Sequence, residues 1–166
     1  MRDSPLVSYL MKHREDRGMM AALRRGLGKT KGHVAMYPFV VPYLPENAQE
    51  AWRYFTVAAL FGYHHDPLEE GVSLGGAMAK LKDNDNDNDN DTVQKKRFTW
   101  LLDATVDELP SRLKSVVSLL KSKKIGLDYN RLLSDLGYWD HPDGFVQLRW
   151  ARDFYGLEEK EKQTKE

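Results

Sequence analysis

The sequence predicts an all-α protein: a helical bundle in two halves joined by a mobile acidic Asp/Asn loop. Three observations predict this fold. Apolar residues recur every three to four positions in most segments, good N-cap residues precede those segments, and convincing period-two alternation is missing. A chain of 166 residues is long enough to bury a sizeable core without a disulfide or a metal.

The N-terminal half is predicted to contain three main helices. Ser4 and Pro5 form an N-cap and first-turn pair for a helix that reaches about Arg14. Asp16 caps a second helix that ends near the glycines of the segment 26–28. Asn47 begins a third, whose apolar face is Ala48, Ala51, Trp52, Phe55, Ala59 and Gly62.

The C-terminal half has equally clear helical patterns. Ser73, in the N-terminal half, is predicted to cap a short helix that runs through Leu81. In the C-terminal half, Asp128 is predicted to cap a helix with leucines at 132, 133 and 136. A buried stripe is predicted at Leu109, Leu113, Val116, Val117 and Leu120. The face of the last helix is predicted as Leu148, Ala151, Phe154 and Tyr155.

An Asp-Asn repeat divides the chain. We predict an N-terminal helical half over 1–82, a low-complexity loop over 83–91, a C-terminal bundle over 92–156 and a charged tail over 157–166. Alternating Asp and Asn bury nothing and repel one another, so the tract is predicted to be solvated and mobile. An EF-hand calcium loop is the alternative, but Asn88 stands where that motif needs Gly and Gln94 where it needs Glu.

The net charge is zero, with 25 basic and 25 acidic residues, which taken alone argues against a nucleic-acid partner. The balance is uneven along the chain, however. Residues 1–33 carry eight basic and three acidic residues, and residues 92–125 carry eight and three again. Residues 66–91 carry eight acids and two lysines, so one acidic segment separates two basic ones.

Cysteine is absent, which excludes disulfides, thiolate zinc sites and cysteine nucleophiles, and predicts a cytoplasmic protein. The first residues lack the apolar core of a signal peptide. The longest apolar run, 34–41, is interrupted by Pro38 and is much shorter than the roughly 20 residues of a membrane span. We therefore expect no membrane partner.

Two motifs suggest an enzyme, and neither fits its context. Gly28-Lys29-Thr30 matches the end of a phosphate-binding P-loop. That motif requires a glycine five residues before Gly28, where this sequence has Leu23, and the segment follows a helical pattern instead of a buried strand. The segment 71–75 matches the G-x-S-x-G nucleophile elbow, yet what precedes it cannot be a buried strand. His64 and His65 are adjacent, which suits two metal ligands poorly. We predict no catalysis and no cofactor.

The basic segments are typical of a groove that follows a nucleic-acid backbone without reading bases. The other interpretation is structural, because cations near the end of a helix stabilise its dipole. Arg149 and Arg152 lie three residues apart on the last helix, where Asp135 or Asp153 is a possible structural partner. The aromatic residues fall mostly on apolar stripes, which favours core positions over stacking.

Several stretches resemble the CasB family, the small subunit of the type I-E CRISPR Cascade complex, in content and order. They are ALRRG at 22–26, AWRYFTVAALFGY at 51–63, SLG at 73–75, KRF at 96–98 with LL at 101–102, IGLDYNRLLSDLGYW at 125–139 and VQLRWARDFY at 146–155. The resemblance covers about residues 4–156, and the last two stretches together are quite specific. The Asp-Asn tract departs from the family pattern.

The resemblance implies a helical, non-enzymatic subunit of a crRNA-guided antiviral complex. Its implied partners are a second copy of itself, other Cascade subunits, the crRNA backbone and the target or displaced DNA strand, with the R-loop stabilised by charge. The resemblance implies Arg24, Arg25 and Arg97, which lie within the matched motifs, as the first candidates for nucleic-acid binding. Arg149 and Arg152 are further candidates, with a structural role in the bundle as the alternative. Lys29, Lys31, Lys121 and Lys124 are candidates on charge alone. A purely structural scaffold that contacts only protein is the alternative.

Overall fold

The computed structural model describes the backbone of residues 3–83 and 88–164, and the side chains of 3–82 and 92–156. The chain is helical through these ranges, and no strand forms in them beyond an isolated bridge between Leu68 and Leu127. The helices are α1 (Pro5–Lys12), α2 (Arg17–Arg24), α3 (Tyr37–Val40), α4 (Ala51–Tyr63), α5 (Leu74–Asp83), α6 (Asn88–Leu102), α7 (Leu109–Ser122), α8 (Tyr129–Leu136) and α9 (Phe145–Thr164). The all-α prediction is confirmed.

Most of the predicted caps form. The Asp16 carboxylate accepts a hydrogen bond from the Met19 amide at 3.0 Å, and Asp128 accepts one from the Arg131 amide at 3.1 Å. Asn47 caps a short 3₁₀ turn, Ala48–Glu50, which leads directly into α4. Ser4 differs from the prediction: it holds the N-cap position of α1, but its side chain makes no capping bond, and α1 ends at Lys12.

The two predicted halves share one hydrophobic cluster. Helix α2 packs along α4 in the N-terminal part, while α5 packs along α9 and α4 packs against α8. The predicted stripe of α7 is buried in full. Since α4 and α5 belong to the first half and α8 and α9 to the second, the core runs across the division.

The predicted face of α9 is wrong in one residue. Leu148 is 52% exposed, whereas Val146, Trp150 and Phe154 are almost completely buried. Those three residues are four apart and share one face of α9. Trp150 donates to Asp135 of α8, Phe154 stacks on Phe98 of α6, and Gly75 of α5 lies against the Trp150 backbone. The helices packed around α9 therefore select the face that is buried.

The predicted acidic loop, 83–91, is only partly within the described chain. Helix α5 continues to Asp83 and α6 begins at Asn88, so the C-terminal residues assigned to the loop are helical. The segment 84–87 lies outside the described residues. Among the described helices, none is both long enough and apolar enough to cross a bilayer.

Candidate nucleic-acid interface

The end of α2 places Arg24 beside the end of α4. Arg24 Nη1 donates a hydrogen bond to the carbonyl of Gly62 at 3.1 Å, and both Arg24 and Arg25 are exposed. Gly62 allows this close approach, because a Cβ there would lie 2.7 Å from the Cβ of Leu23 and 2.9 Å from the Met20 carbonyl. The packing of α2 on α4 thus fixes where Arg24 lies.

The turn that follows α2 lies over α7. Gly28 has φ of 79°, and a Cβ on it would be 3.2 Å from Cδ of Lys114. Lys29 comes next and is exposed. Partial desolvation lowers the pKa of His33, and the positive charges of Arg25 and Lys29 lower it further. The turn therefore gathers cations beside Lys114.

Helix α7 adds a second group of polar residues at the end of α4. Lys121 Nζ lies 4.1 Å from the centre of the Tyr63 ring, and the Tyr63 hydroxyl donates to Ser118 Oγ at 3.1 Å. The exposed residues Lys114, Ser118 and Lys121 recur at three and four positions, so they share one face of α7. We define the α7 basic surface as Arg24, Arg25, Lys29, Lys114 and Lys121.

The cations of the α7 basic surface form no ion pair with a carboxylate anywhere in the described ranges. The basic residues that do pair with described carboxylates lie elsewhere: Arg53 with Glu50, Lys80 with Glu69, Arg112 with Glu108, Arg131 with Asp135 and Asp153, and Arg149 with Asp135. The charge of the α7 basic surface is therefore available to an external anion, which favours a binding role over a purely structural one.

Lys31 and Lys124 occupy other grooves. Lys31 lines a groove of about 600 Å³ together with Tyr37, Trp52 and Phe55 and with the acidic residues Glu50, Asp107 and Asp140. Lys124 lines one of about 450 Å³ with Lys80, Lys123 and Glu69. Of the four lysines predicted on charge alone, these two thus lie in separate grooves.

Lys124 has an unusual backbone conformation at the end of α7. Its φ is 57°, which is the left-handed region where glycine is normally found after a helix. The Ile125 amide still donates to the Leu120 carbonyl at 3.0 Å, so the helix ends in an ordinary capping pattern. A side chain at this position costs stability.

Lys124→Gly is therefore expected to stabilise the protein by about 1 kcal/mol, since the left-handed penalty of a Cβ exceeds the added entropy of the unfolded chain. Urea unfolding measures the change. Lys123→Gly is the matched control: its φ is −101°, so that glycine is expected to give no gain. Equal stability of Lys124→Gly and the wild-type protein contradicts the interpretation.

Arg97 lies on α6, next to α7. It is exposed on α6 and lines a groove of about 370 Å³ between α6 and α7. Trp100 is on the α6 side, and Ser118 is on the α7 side. Ser118 lies on the same face of α7 as Lys114 and Lys121, so one wall of this groove adjoins the α7 basic surface. The structure thus places Arg97 beside α7, while its described groove includes no residue of the first basic segment.

Arg149 has a structural contact. Its guanidinium lies 3.9 Å from a carboxylate oxygen of Asp135, and that buried carboxylate also accepts the Trp150 indole N–H at 2.7 Å. Burial raises the pKa of Asp135, and the Trp150 bond and nearby arginines oppose that shift. Arg152 is exposed, and no described residue pairs with it. Of the two, Arg149 is the one held by the bundle.

Lys114 is not among the candidate residues predicted from the sequence. The sequence feature that identifies it is its position seven residues before Lys121, which puts both lysines on the polar face of α7, opposite the leucines. The contact with Gly28 that joins it to the α2 turn has no sequence signature.

The residues that suggested catalysis have structural contacts. Ser73 is buried, accepts the Gly76 amide at 3.0 Å as the N-cap of α5, and donates to Asp153 at 2.6 Å. His64 is buried, with Nε2 2.6 Å from the Ile125 carbonyl, and burial is the main cause that lowers its pKa. Gly28-Lys29-Thr30 follows an α-helix, as predicted. Within the described side chains, no three potential ligands cluster as a metal site.

Comparisons with known proteins agree with this architecture. Residues 19–155 match the family model of CRISPR-associated protein Cse2. A CRISPR-associated protein Cse2 from Thermus thermophilus is 34% identical over 152 residues, covering 87% of this chain and 83% of its own. The crystal structure of M. ruber CasB superposes with a TM-score of 0.79 at 30% identity, covering 96% of this chain and 95% of that one. A chain of a CRISPR RNA-guided surveillance complex has a TM-score of 0.78 at 25% identity, covering 97% and 95%.

Proposed function

The chain belongs to the Cse2 family, also called CasB, and on that premise we propose that it is a non-catalytic small subunit of a crRNA-guided surveillance complex, Cascade. In this proposal it acts in the cytoplasm, stabilises the R-loop by sequence-independent contacts with nucleic-acid backbone, and bridges other subunits. The proposal rests on the family, on a chain of similar fold from an RNA-guided surveillance complex, and on the surface chemistry described above.

The observation that carries the nucleic-acid role is the α7 basic surface. Five cations from α2, the Gly28 turn and α7 meet there without described carboxylate partners. Lysine and arginine on helix faces suit phosphate contact, which positions a strand without reading its sequence. Base pairing with the guide supplies the specificity in an RNA-guided complex, so this subunit needs only charge and shape.

Exposed apolar side chains support the bridging role. Val34, Tyr37 and Val41 are 66%, 45% and 46% exposed, and they follow one another along a segment of short helical turns. A cluster of this kind is typical of a surface that another protein covers. We propose it as a contact with other subunits of the complex, a second copy included.

The non-catalytic part of the proposal is supported by the contacts of the motifs that suggested an enzyme. The Ser73 hydroxyl both caps α5 and donates to Asp153, so a nucleophilic role would have to break two structural bonds. The crRNA backbone and the target or displaced DNA strand are the proposed anionic partners, and the same cations suit all of them.

Binding of single-stranded DNA at rising salt tests the proposal. Each contacted phosphate contributes about −0.7 to the slope of log affinity against log salt, so five cations predict a slope of about −3.5. Affinity is then expected to fall about 500-fold between about 50 mM and about 300 mM salt. Fluorescence anisotropy of a labelled oligothymidylate measures it. A flat salt dependence contradicts the nucleic-acid role and favours the protein-only scaffold.

A further inference from the structure

Helix α6 presents an exposed face toward the groove beside α7. Val93, Arg97 and Trp100 recur at spacings of four and three, and Val93 and Trp100 are 42% and 43% exposed. We define the Trp100 groove by its lining residues: Arg97, Trp100, Ser115, Val116, Ser118, Leu119 and Ser122. The lining combines an aromatic ring, one cation and serine hydroxyls, and none of these described residues is a carboxylate.

The indole of Trp100 is in contact with Arg112 of α7. Arg112 Nη1 donates to the Trp100 carbonyl at 2.6 Å, and the Arg112 guanidinium lies 5.0 Å from the centre of the indole. Glu108 pairs with that guanidinium and fixes it. Because the ring is already positioned, a ligand that stacks on it does not have to order the side chain.

Trp100 is also distinct among the tryptophans. Trp139 and Trp150 are 3% and 0% exposed and belong to the core, and Trp52 is half-buried against it. An exposed aromatic ring next to an exposed cation is the arrangement that single-strand binding proteins use to stack bases.

We propose that the Trp100 groove binds an unpaired nucleobase, which stacks on the Trp100 indole while Arg97 contacts the neighbouring phosphate. This inference rests on the proposed function, since Ser118 of the groove shares a face of α7 with Lys114 and Lys121 of the α7 basic surface. The faces of bases are covered within a duplex, so only a single strand offers this contact. Stacking tolerates any base, which agrees with sequence-independent binding.

The lining argues for a nucleic acid over a protein segment as the occupant. A protein side chain that stacked on Trp100 would need an acidic neighbour to pair with Arg97, and the rest of that protein would have to fit against the groove. A nucleotide matches the groove in both parts, because its base suits the indole and its phosphate suits Arg97 and the serine hydroxyls.

Two oligonucleotides of equal charge test the inference. One is an oligothymidylate of about twelve nucleotides, and the other has abasic residues throughout, so that only the bases differ. The oligothymidylate is expected to bind about tenfold more tightly and to quench tryptophan fluorescence. In Trp100→Ala the two affinities become equal. Trp100→Phe restores part of the difference, because its ring still stacks.

Controls separate this inference from the proposed function. Tyr138 is 53% exposed and lies outside the groove, so Tyr138→Ala is expected to keep the preference for the oligothymidylate. Equal, salt-sensitive binding of both strands by the wild-type protein overturns the stacking site and leaves the backbone role intact. Binding of neither strand overturns both. The affinity of an oligouridylate of the same length shows whether the groove prefers RNA or DNA. Tighter binding of either strand than of the abasic strand supports the stacking site.

A protein-docking role has its own signature. If Trp100→Ala binds all the strands as the wild-type protein does, but no longer joins the assembled complex, the groove is a subunit contact and the inference is wrong.

Discussion

Gly75→Ala is expected to destabilise the protein by about 3 kcal/mol or more, because it forces two helices apart. A Cβ at this position would lie 2.1 Å from the Trp150 carbonyl oxygen and 2.8 Å from the Trp150 Cα. Those atoms belong to the backbone of α9, so no side-chain rotation relieves the contact. Urea-induced unfolding followed by circular dichroism measures the loss.

The matched control is Gly156→Ala. Gly156 is also helical, in α9, but a Cβ there meets nothing within 4 Å. This variant is expected to be more stable by about 1 kcal/mol, since alanine is the better helix former. Wild-type stability of Gly75→Ala would show that α5 does not lie directly against the Trp150 backbone of α9.

The sequence predicted the helices because their signals are local. Asp16, Ser73 and Asp128 each accept an amide hydrogen bond from a residue three positions later, and that geometry depends only on the neighbouring chain. The α7 stripe was equally clear, because its leucines and valines recur on one face and its charges on the other. Both kinds of evidence need no knowledge of the rest of the fold.

The face of α9 was harder to predict. Its sequence has two candidate apolar stripes, one through Leu148 and one through Val146 and Trp150. Periodicity alone does not rank them, because each satisfies helical spacing. The choice depends on contacts with other helices: Trp150 donates to Asp135 of α8, Phe154 stacks on Phe98 of α6, and Gly75 lets α5 approach the backbone at Trp150. The information lies in a contact between distant parts of the chain.

The candidate interface shows the same limit. Lys29 and Lys31 are two residues apart in one basic segment, yet Lys29 joins the α7 basic surface while Lys31 lines the groove at Tyr37. Lys114 joins the surface through the Gly28 turn. A charge count along the chain finds the segments, but only the fold decides which cations meet.

The second large effect is expected from Arg25/Lys29/Lys121→Ala, which removes three exposed cations of the α7 basic surface. Three lost phosphate contacts reduce the salt slope for single-stranded DNA by about 2, and they lower affinity about 100-fold at about 100 mM salt. None of the three pairs with a described carboxylate, so stability is expected to change by less than about 1 kcal/mol. Anisotropy at several salt concentrations measures both the slope and the affinity.

The control changes net charge by the same amount at a different place. Lys12, Arg14 and Arg17 are exposed around the junction of α1 and α2, outside the α7 basic surface. If general electrostatic attraction drives binding, Lys12/Arg14/Arg17→Ala is expected to reduce the slope of log affinity against log salt as much as Arg25/Lys29/Lys121→Ala does. If phosphates are contacted at the α7 basic surface, the control keeps a wild-type slope, because distant exposed charges are screened beyond about 10 Å at moderate salt. Equal losses in the two variants would therefore contradict a localised interface, even if the protein binds DNA.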